Sequence, residues 1–265
     1  MSGGRRTAER SRGRDRAASG PAPRPDAPVI WHDVECAGYH EDLPVWRALA
    51  KSASGAVLDI GCGTGRVGLD LSMRGHDVTG LDSEPALVRA MNARARTRRL
   101  PARAHVGDAR GFELGRRFGL AIAPMQVAQL LGGPDGRRTM LASARRHLMR
   151  GGTVAIALAD PFEGLPAEQA LPPLPDVQER EGWVFQSTPV TLRAEAGSTA
   201  IDRLHQIVSP TGELSEEVVT VRLDRVDPTE LEAAGPELGL RPLERLSVPA
   251  TDDYVGSAVV VLEAV

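Results

Sequence analysis

Apolar residues at positions 43, 45, 46, 49 and 50, with polar residues between them, repeat at helical spacing and predict an amphipathic helix over residues 43–52. Gly55 breaks that helix, and residues 56–60 form a nearly continuous apolar run that carries Asp59. Such a run predicts a parallel strand covered on both faces. Helical spacing resumes over 67–73 and stops at Gly75. A second strand is predicted over 78–81, then a helix over 85–95 with Pro85 in its first turn. Short strands follow at 104–106 and 120–123, and an arginine-rich amphipathic helix at 137–149 that Gly151 and Gly152 stop. A fifth strand is predicted over 153–159. This alternation predicts an α/β fold: a doubly wound, Rossmann-like, mostly parallel seven-stranded sheet with helices on both faces.

The rhythm changes after residue 160. Residues 161–181 are rich in proline and acidic side chains and predict an irregular loop. Strand-like runs at 183–187, 190–194, 200–208 and 216–223, separated by turn residues such as Pro210-Thr211-Gly212, predict an antiparallel β insertion after strand five. The earlier rhythm then returns with a helix from 228 to about 238 and strands near 243–248 and 257–263. At the other end, residues 1–28 are rich in Arg, Ser, Gly, Ala and Pro without apolar periodicity, and predict a disordered basic tail. The expected organisation is therefore a tail over 1–28, an α/β core over 29–160, an insertion over 161–224 and a completion of the core over 225–265.

Composition narrows the functional classes. A hydrophobic content of 42% excludes wholesale disorder, and an aromatic content of 3% leaves the core to Ala, Val, Leu and Ile. Residues 1–24 carry seven arginines against Glu9 and Asp15, so a tail of +5 leaves −8 on the remainder of a chain whose net charge is −3. An acidic body does not suggest a nucleic-acid partner. No apolar stretch approaches the roughly 20 residues that cross a bilayer, and no apolar run follows the N-terminal arginines as in a secretory signal. The expectation is a cytoplasmic protein without a membrane partner. Cys36 and Cys62 are the only cysteines, too few for a structural zinc site or an iron–sulfur cluster, so no metal is expected.

The chemistry concentrates at Val57-Leu58-Asp59-Ile60-Gly61-Cys62-Gly63-Thr64-Gly65-Arg66. A strand running into Gly61, Gly63 and Gly65 at the start of a helix lets a ligand approach the backbone closely. A dinucleotide loop of the G-x-G-x-x-G type needs glycine where Arg66 stands, which argues against NAD.

This segment resembles motif I of the class I S-adenosylmethionine-dependent methyltransferases. Val78-Thr79-Gly80-Leu81-Asp82 resembles the family's second strand, whose terminal acid holds the ribose hydroxyls, and Gly107-Asp108-Ala109 resembles the turn that binds the adenine amino group. His147 to Gly152 resembles the "L-x-P-G-G" lead into strand five, with Arg150 in place of the proline. The resemblance implies S-adenosyl-L-methionine as cofactor and Asp82, Asp108 and Ala109 as contacts. Asp59 either touches the cofactor or bonds backbone amides of the loop. Met125 lies where the family's residues approach the sulfonium methyl group; packing in the core is the other reading. Tyr39, in Gly38-Tyr39-His40-Glu41-Asp42, resembles a tyrosine that folds over the methionine end of the cofactor in small-molecule methyltransferases. Its other reading is ordinary partial burial.

The resemblance implies methyl transfer to an O, N or C nucleophile of a small-molecule acceptor. An RNA or protein methyltransferase and a non-catalytic S-adenosylmethionine-binding protein are the alternatives. The missing Asn-Pro-Pro-Tyr-like tetrad at Ala123 to Gln126 counts against nucleic-acid and protein nitrogens. A general base helps when the acceptor is a hydroxyl or a protonated amine, and His32 and His205 are candidates by residue type. The antiparallel insertion, with Arg203, His205 and Gln206, serves as an acceptor site or as the surface of a homodimer; the sequence leaves monomer and homodimer open.

Overall fold

The computed structural model describes residues 26–159, 174–251 and 254–265. Most of the tail and most of the proline-rich stretch read from the sequence lie outside the described residues.

Helix α1 (Ala27–Cys36) and helix α2 (Leu43–Ser52) precede the sheet. The core then alternates β1 (Val57–Ile60), α3 (Arg66–Met73), β2 (Val78–Asp82), α4 (Pro85–Thr97), β3 (Arg103–Val106), β4 (Phe118–Ala123), α5 (Pro134–His147) and β5 (Leu148–Leu158). After the antiparallel strands β6 (Asp176–Arg180), β7 (Trp183–Glu195), β8 (Ser198–Val208) and β9 (Leu214–Asp224) come α6 (Pro228–Ala234), β10 (Leu240–Pro242), β11 (Leu246–Val248) and β12 (Ser257–Ala264). The main sheet runs β10-β12-β5-β4-β1-β2-β3, with β11 added on β12 as an eighth strand. The pairs β1–β2, β1–β4, β2–β3 and β4–β5 are parallel, while β12 is antiparallel to β5.

The continuous apolar runs of the sequence have a direct cause in this sheet. Val57, Leu120, Ile122 and Ala155 face one core with α2, α3 and α4, whereas Leu58, Ala121, Ala123 and Ile156 face a second core with α5 and α6. Alternate residues of one strand enter opposite layers, so nearly every position must be apolar. The chain leaves β1 and β4 on either side of the point where the strand order reverses, which opens a crevice at their carboxyl ends.

Four local readings of the sequence need correction. Helix α5 ends at His147 and β5 begins at Leu148, because Leu148 pairs with Phe118 across a register shift that Gly151 (φ +76°) accommodates. The glycines therefore bulge a strand instead of stopping a helix. Part of the predicted irregular loop is strand β6, whose exposed pattern carries little apolar signal. The two strands predicted over 183–194 are one strand, β7, that continues past a bulge at Pro189. The strand predicted near 243–248 shortens to β11, and a further strand that the sequence reading missed, β10, precedes it; both pair with β12.

Helix α1 was not marked by any sequence pattern. Its residues Ile30 and Val34 join Phe185, with Trp31, Trp183 and Ile207 around them, in a third small core between the helix and the antiparallel sheet. The other flank of α1 meets α4 through Asp33, which accepts from Thr64 Oγ1 at 2.8 Å and from Arg94 Nη1 at 3.0 Å. One short helix thereby ties the insertion to the core.

Candidate active site

The turn from β1 into α3 holds Gly61, Gly63 and Gly65 at φ +69°, +53° and +95°, a region that favours glycine. Room for a ligand is one reason for these glycines; packing is another. A Cβ on Gly61 would lie 2.4 Å from Val127 Cγ2, and one on Gly63 would lie 2.0 Å from His32 Nε2. The loop is thus covered from one side by α1 and from the other by the segment after β4.

Asp82, at the end of β2, fixes the loop from below. Its carboxylate accepts the Gly63 amide at 2.8 Å and the Glu84 amide at 2.9 Å, which joins the glycine turn to the start of α4. Each oxygen keeps a further acceptor position, the arrangement two hydroxyl donors need.

Arg66 occupies the position where a dinucleotide loop has glycine. Its guanidinium makes a two-pronged pair with Asp42 at 2.6 and 2.7 Å, donates to the Tyr39 carbonyl at 2.9 Å, and stands 5.1 Å from the Tyr39 ring centre. Trp46 Nε1 also donates to Asp42, at 2.7 Å. Arg66 therefore anchors the segment before the sheet to the helix that starts the site.

The cleft beside this loop measures about 400 Å³. Gly61, Asp59 and Asp82 form one wall, Asp108 and Ala109 another, and Met125 a third. Met125 has φ +55°, an uncommon value for a non-glycine residue, and such strain concentrates at functional sites. His32 and Cys36, one turn apart on α1, close the remaining side. No local pattern marks Cys36 or Val127 as lining residues, because both reach the cleft only through tertiary packing.

Asp59 is 1% exposed and neither carboxylate oxygen has a hydrogen-bond partner. Burial pushes its pKa up to about 7, against the downward pull of the Arg66 charge and of the Gly68 backbone amide. Asp108 is 46% exposed and paired with Arg110 at 2.6 Å, which holds its carboxyl below the usual range.

The candidate residues do not all converge. Gly63 and Gly65 shape the loop behind the cleft wall. Tyr39 is 7% exposed and packs between Arg66 and Tyr254, away from the cleft lining, with burial raising its hydroxyl to about 12. His205 also stands off the lining: its ring stacks on Trp31 at 3.9 Å, and its Nε2 lies 2.8 Å from Glu35 Oε1. His32 is the histidine on the cleft wall. Burial lowers its pKa against the opposing pull of Asp33 and Asp82, so the ring is neutral near pH 7. His147, at the end of α5, is satisfied by the Leu114 amide at 3.1 Å and the Ser143 carbonyl at 2.8 Å.

The thiols are chemically quiet. Burial raises Cys36 to about 12 and Cys62 well above its ordinary value. Among the described residues no group of His, Cys, Asp and Glu is arranged to hold a metal ion, and no helix is long and apolar enough to cross a membrane.

A family profile described as a methyltransferase domain matches residues 57–152, which include the glycine loop, Asp82, Asp108 and Met125. A sugar N-methyltransferase from Streptoalloteichus sp ATCC 53650 has a similar structure, with a TM-score of 0.70, 19% identity, and coverage of 99% of both chains. An S-adenosylmethionine-dependent methyltransferase from Clostridium acetobutylicum ATCC 824 gives 0.68 at 12% identity, over 89% of this chain and 96% of that one. An amino pentose methyltransferase from Micromonospora echinaspora, solved with its cofactor, gives 0.60 at 21% identity, over 87% and 96%. No curated protein matches the sequence. The profile match covers the walls of the cleft: residues 57–152 match a methyltransferase domain, and the chain shares the fold of these methyltransferases.

Proposed function

We propose that the chain transfers the methyl group of S-adenosylmethionine to a nucleophilic atom of a small-molecule acceptor that lies between the cleft and the antiparallel sheet. The observation that carries this reading is the position of α1. Its residues His32 and Cys36 wall the cleft, while Trp31 and Glu35 of the same helix meet β8. The insertion therefore borders the place where the methyl group is offered. The similar proteins described as acting on sugars and amino pentoses support a small polar acceptor.

The residues fit the cofactor on two counts. Asp59 offers a buried carboxylate with no partner, suited to a cationic ammonium group. Asp82 offers spare acceptor positions at the end of β2 for hydroxyl donors. In this reading Gly61 gives close backbone approach, and Asp108, Ala109 and Met125 complete the walls.

The bound cofactor supplies a methyl group already activated on a sulfonium centre. The protein's part is to align the acceptor, exclude water and take up a proton. An amine or hydroxyl acceptor would give up a proton on methylation, and a side chain of this protein would take it. His32 is the candidate base: it is neutral, it lies on the cleft wall, and its Nδ1 is 3.4 Å from Thr64 Oγ1.

Transfer from methyl-labelled S-adenosylmethionine tests this reading. Small metabolites, RNA and protein from the source cells are offered separately. Label in the small-molecule fraction is the expected outcome, and label confined to RNA or protein would overturn it.

A further inference from the structure

We infer that Glu35 and Asp176, bridged by Arg203 beside the cleft wall, recognise an amine on the acceptor, so that the acceptor class is a small-molecule amine. This rests on the methyl-transfer reading above and adds the chemistry of the substrate.

Five residues far apart in sequence meet here. Glu35 Oε1 accepts from Ser187 Oγ at 2.8 Å, faces His205 Nε2 at 2.8 Å, and pairs with Arg203 Nε at 3.1 Å. Arg203 Nη2 reaches on to Asp176 Oδ2. Glu35 uses Oε1 in each of these contacts, and Asp176 uses Oδ2. Among the described residues, Glu35 Oε2 and Asp176 Oδ1 are left without a donor. The two side chains are 25% and 30% exposed. The cluster holds two carboxylates and one guanidinium, with an excess negative charge that a cation would balance.

Location separates this cluster from an ordinary ion-pair network. Cys36, next to Glu35, lines the cleft, and its thiol feels the charges of Glu35, Arg203 and Asp176. The cluster thus begins where the cleft wall ends. Ser187 and His205 are 0% and 6% exposed, and His205 Nδ1 is buried without a partner, 3.8 Å from Glu217. Buried ion pairs add little stability over apolar residues of similar volume, so stability alone gives weak reason for five polar groups between α1 and the sheet. Recognition of a donor-rich cation gives a direct one. Burial would raise the Glu35 carboxyl, but the His205 hydrogen bond and the Arg203 charge outweigh it and keep it ionised.

The test uses the full chain, methyl-tritiated S-adenosylmethionine and a small-molecule extract of the source cells, with products separated by cation exchange at acidic pH. Label retained as cationic product is the expected result. Glu35→Gln and Asp176→Asn should each reduce that label about tenfold or more, the effect of losing a hydrogen bond to a charged group. The affinity for S-adenosylhomocysteine and the melting temperature should stay unchanged, which separates recognition from folding. Asp176 stands at the start of an exposed strand, so its variant keeps the test open if Glu35→Gln folds poorly. Label in neutral or anionic products, or undiminished labelling in folded variants, would overturn the inference while leaving methyl transfer intact. A wild-type chain that binds cofactor yet labels nothing would overturn the proposed function, and this inference with it.

Discussion

Asp82 accepts the amide hydrogen of Gly63 at 2.8 Å, across 19 residues of sequence. The bond joins the end of β2 to the turn after β1, so the carboxylate that the family resemblance assigns to the cofactor also holds the loop that would receive it. Asp82→Ala removes the acceptor for two backbone amides. We expect weaker S-adenosylhomocysteine binding by about 1.5–3 kcal/mol, or roughly ten- to a hundredfold, measured by calorimetry. An unchanged affinity would remove Asp82 from the site.

Arg66 and Asp42 are 9% and 3% exposed as side chains and make a two-pronged pair. Asp42→Ala leaves the guanidinium buried without its anion and takes the acceptor from Trp46 Nε1. The expected loss is about 3–5 kcal/mol in urea unfolding. A loss below about 1 kcal/mol would show that Arg66 finds other partners.

Asp59 should mark the pH dependence of the site. Its folded pKa of about 7 is raised above its unfolded value, so the folded state holds the proton more tightly. The fold is then favoured at low pH and loses this advantage as pH rises toward about 7. Asp59→Asn should therefore gain melting temperature relative to wild type at pH 8, with the difference shrinking toward pH 4. In the proposed site a ligand ammonium group favours the ionised form, so cofactor binding should release a proton near pH 6. Calorimetry in buffers of different ionisation heat reads that proton; no release would place the ammonium elsewhere.

His32 has the opposite linkage. Its folded pKa is lowered, so the unfolded chain takes the proton first as pH falls through 6.5. Wild-type stability should then decline below that pH relative to His32→Gln. In the proposed mechanism His32→Gln also lowers kcat with little change in cofactor affinity. Loss of affinity without loss of kcat would make His32 a cover for the loop.

Gly63→Ala tests the loop itself. A methyl group there meets the His32 ring at a backbone angle of +53°. Thermal unfolding should show a loss of about 1 kcal/mol or more, with weakened cofactor binding. Replacing His32 by Ala in the same chain should return part of the stability, since the ring is the nearest obstacle.

The sequence by itself determined the sheet and most of the cleft. Continuous runs such as Leu120 to Ala123 can only be strands buried on both faces, and helices at 3.6-residue spacing between them force parallel pairing. Gly61, Asp82 and Asp108 were legible because each ends or closely follows a strand at the same sheet edge, where short-range pattern and ligand chemistry coincide. Tertiary structure decided what long-range contacts decide. Tyr39 reads as a cofactor contact until Arg66 and Tyr254 are seen to enclose it, and His205 reads as a base until Trp31 and Glu35 hold it. The meeting of Glu35, Asp176, Ser187 and Arg203 has no sequence signature at all. Their spacing along the chain carries no periodicity, and only the packing of α1 between core and insertion brings their charges within reach of one another.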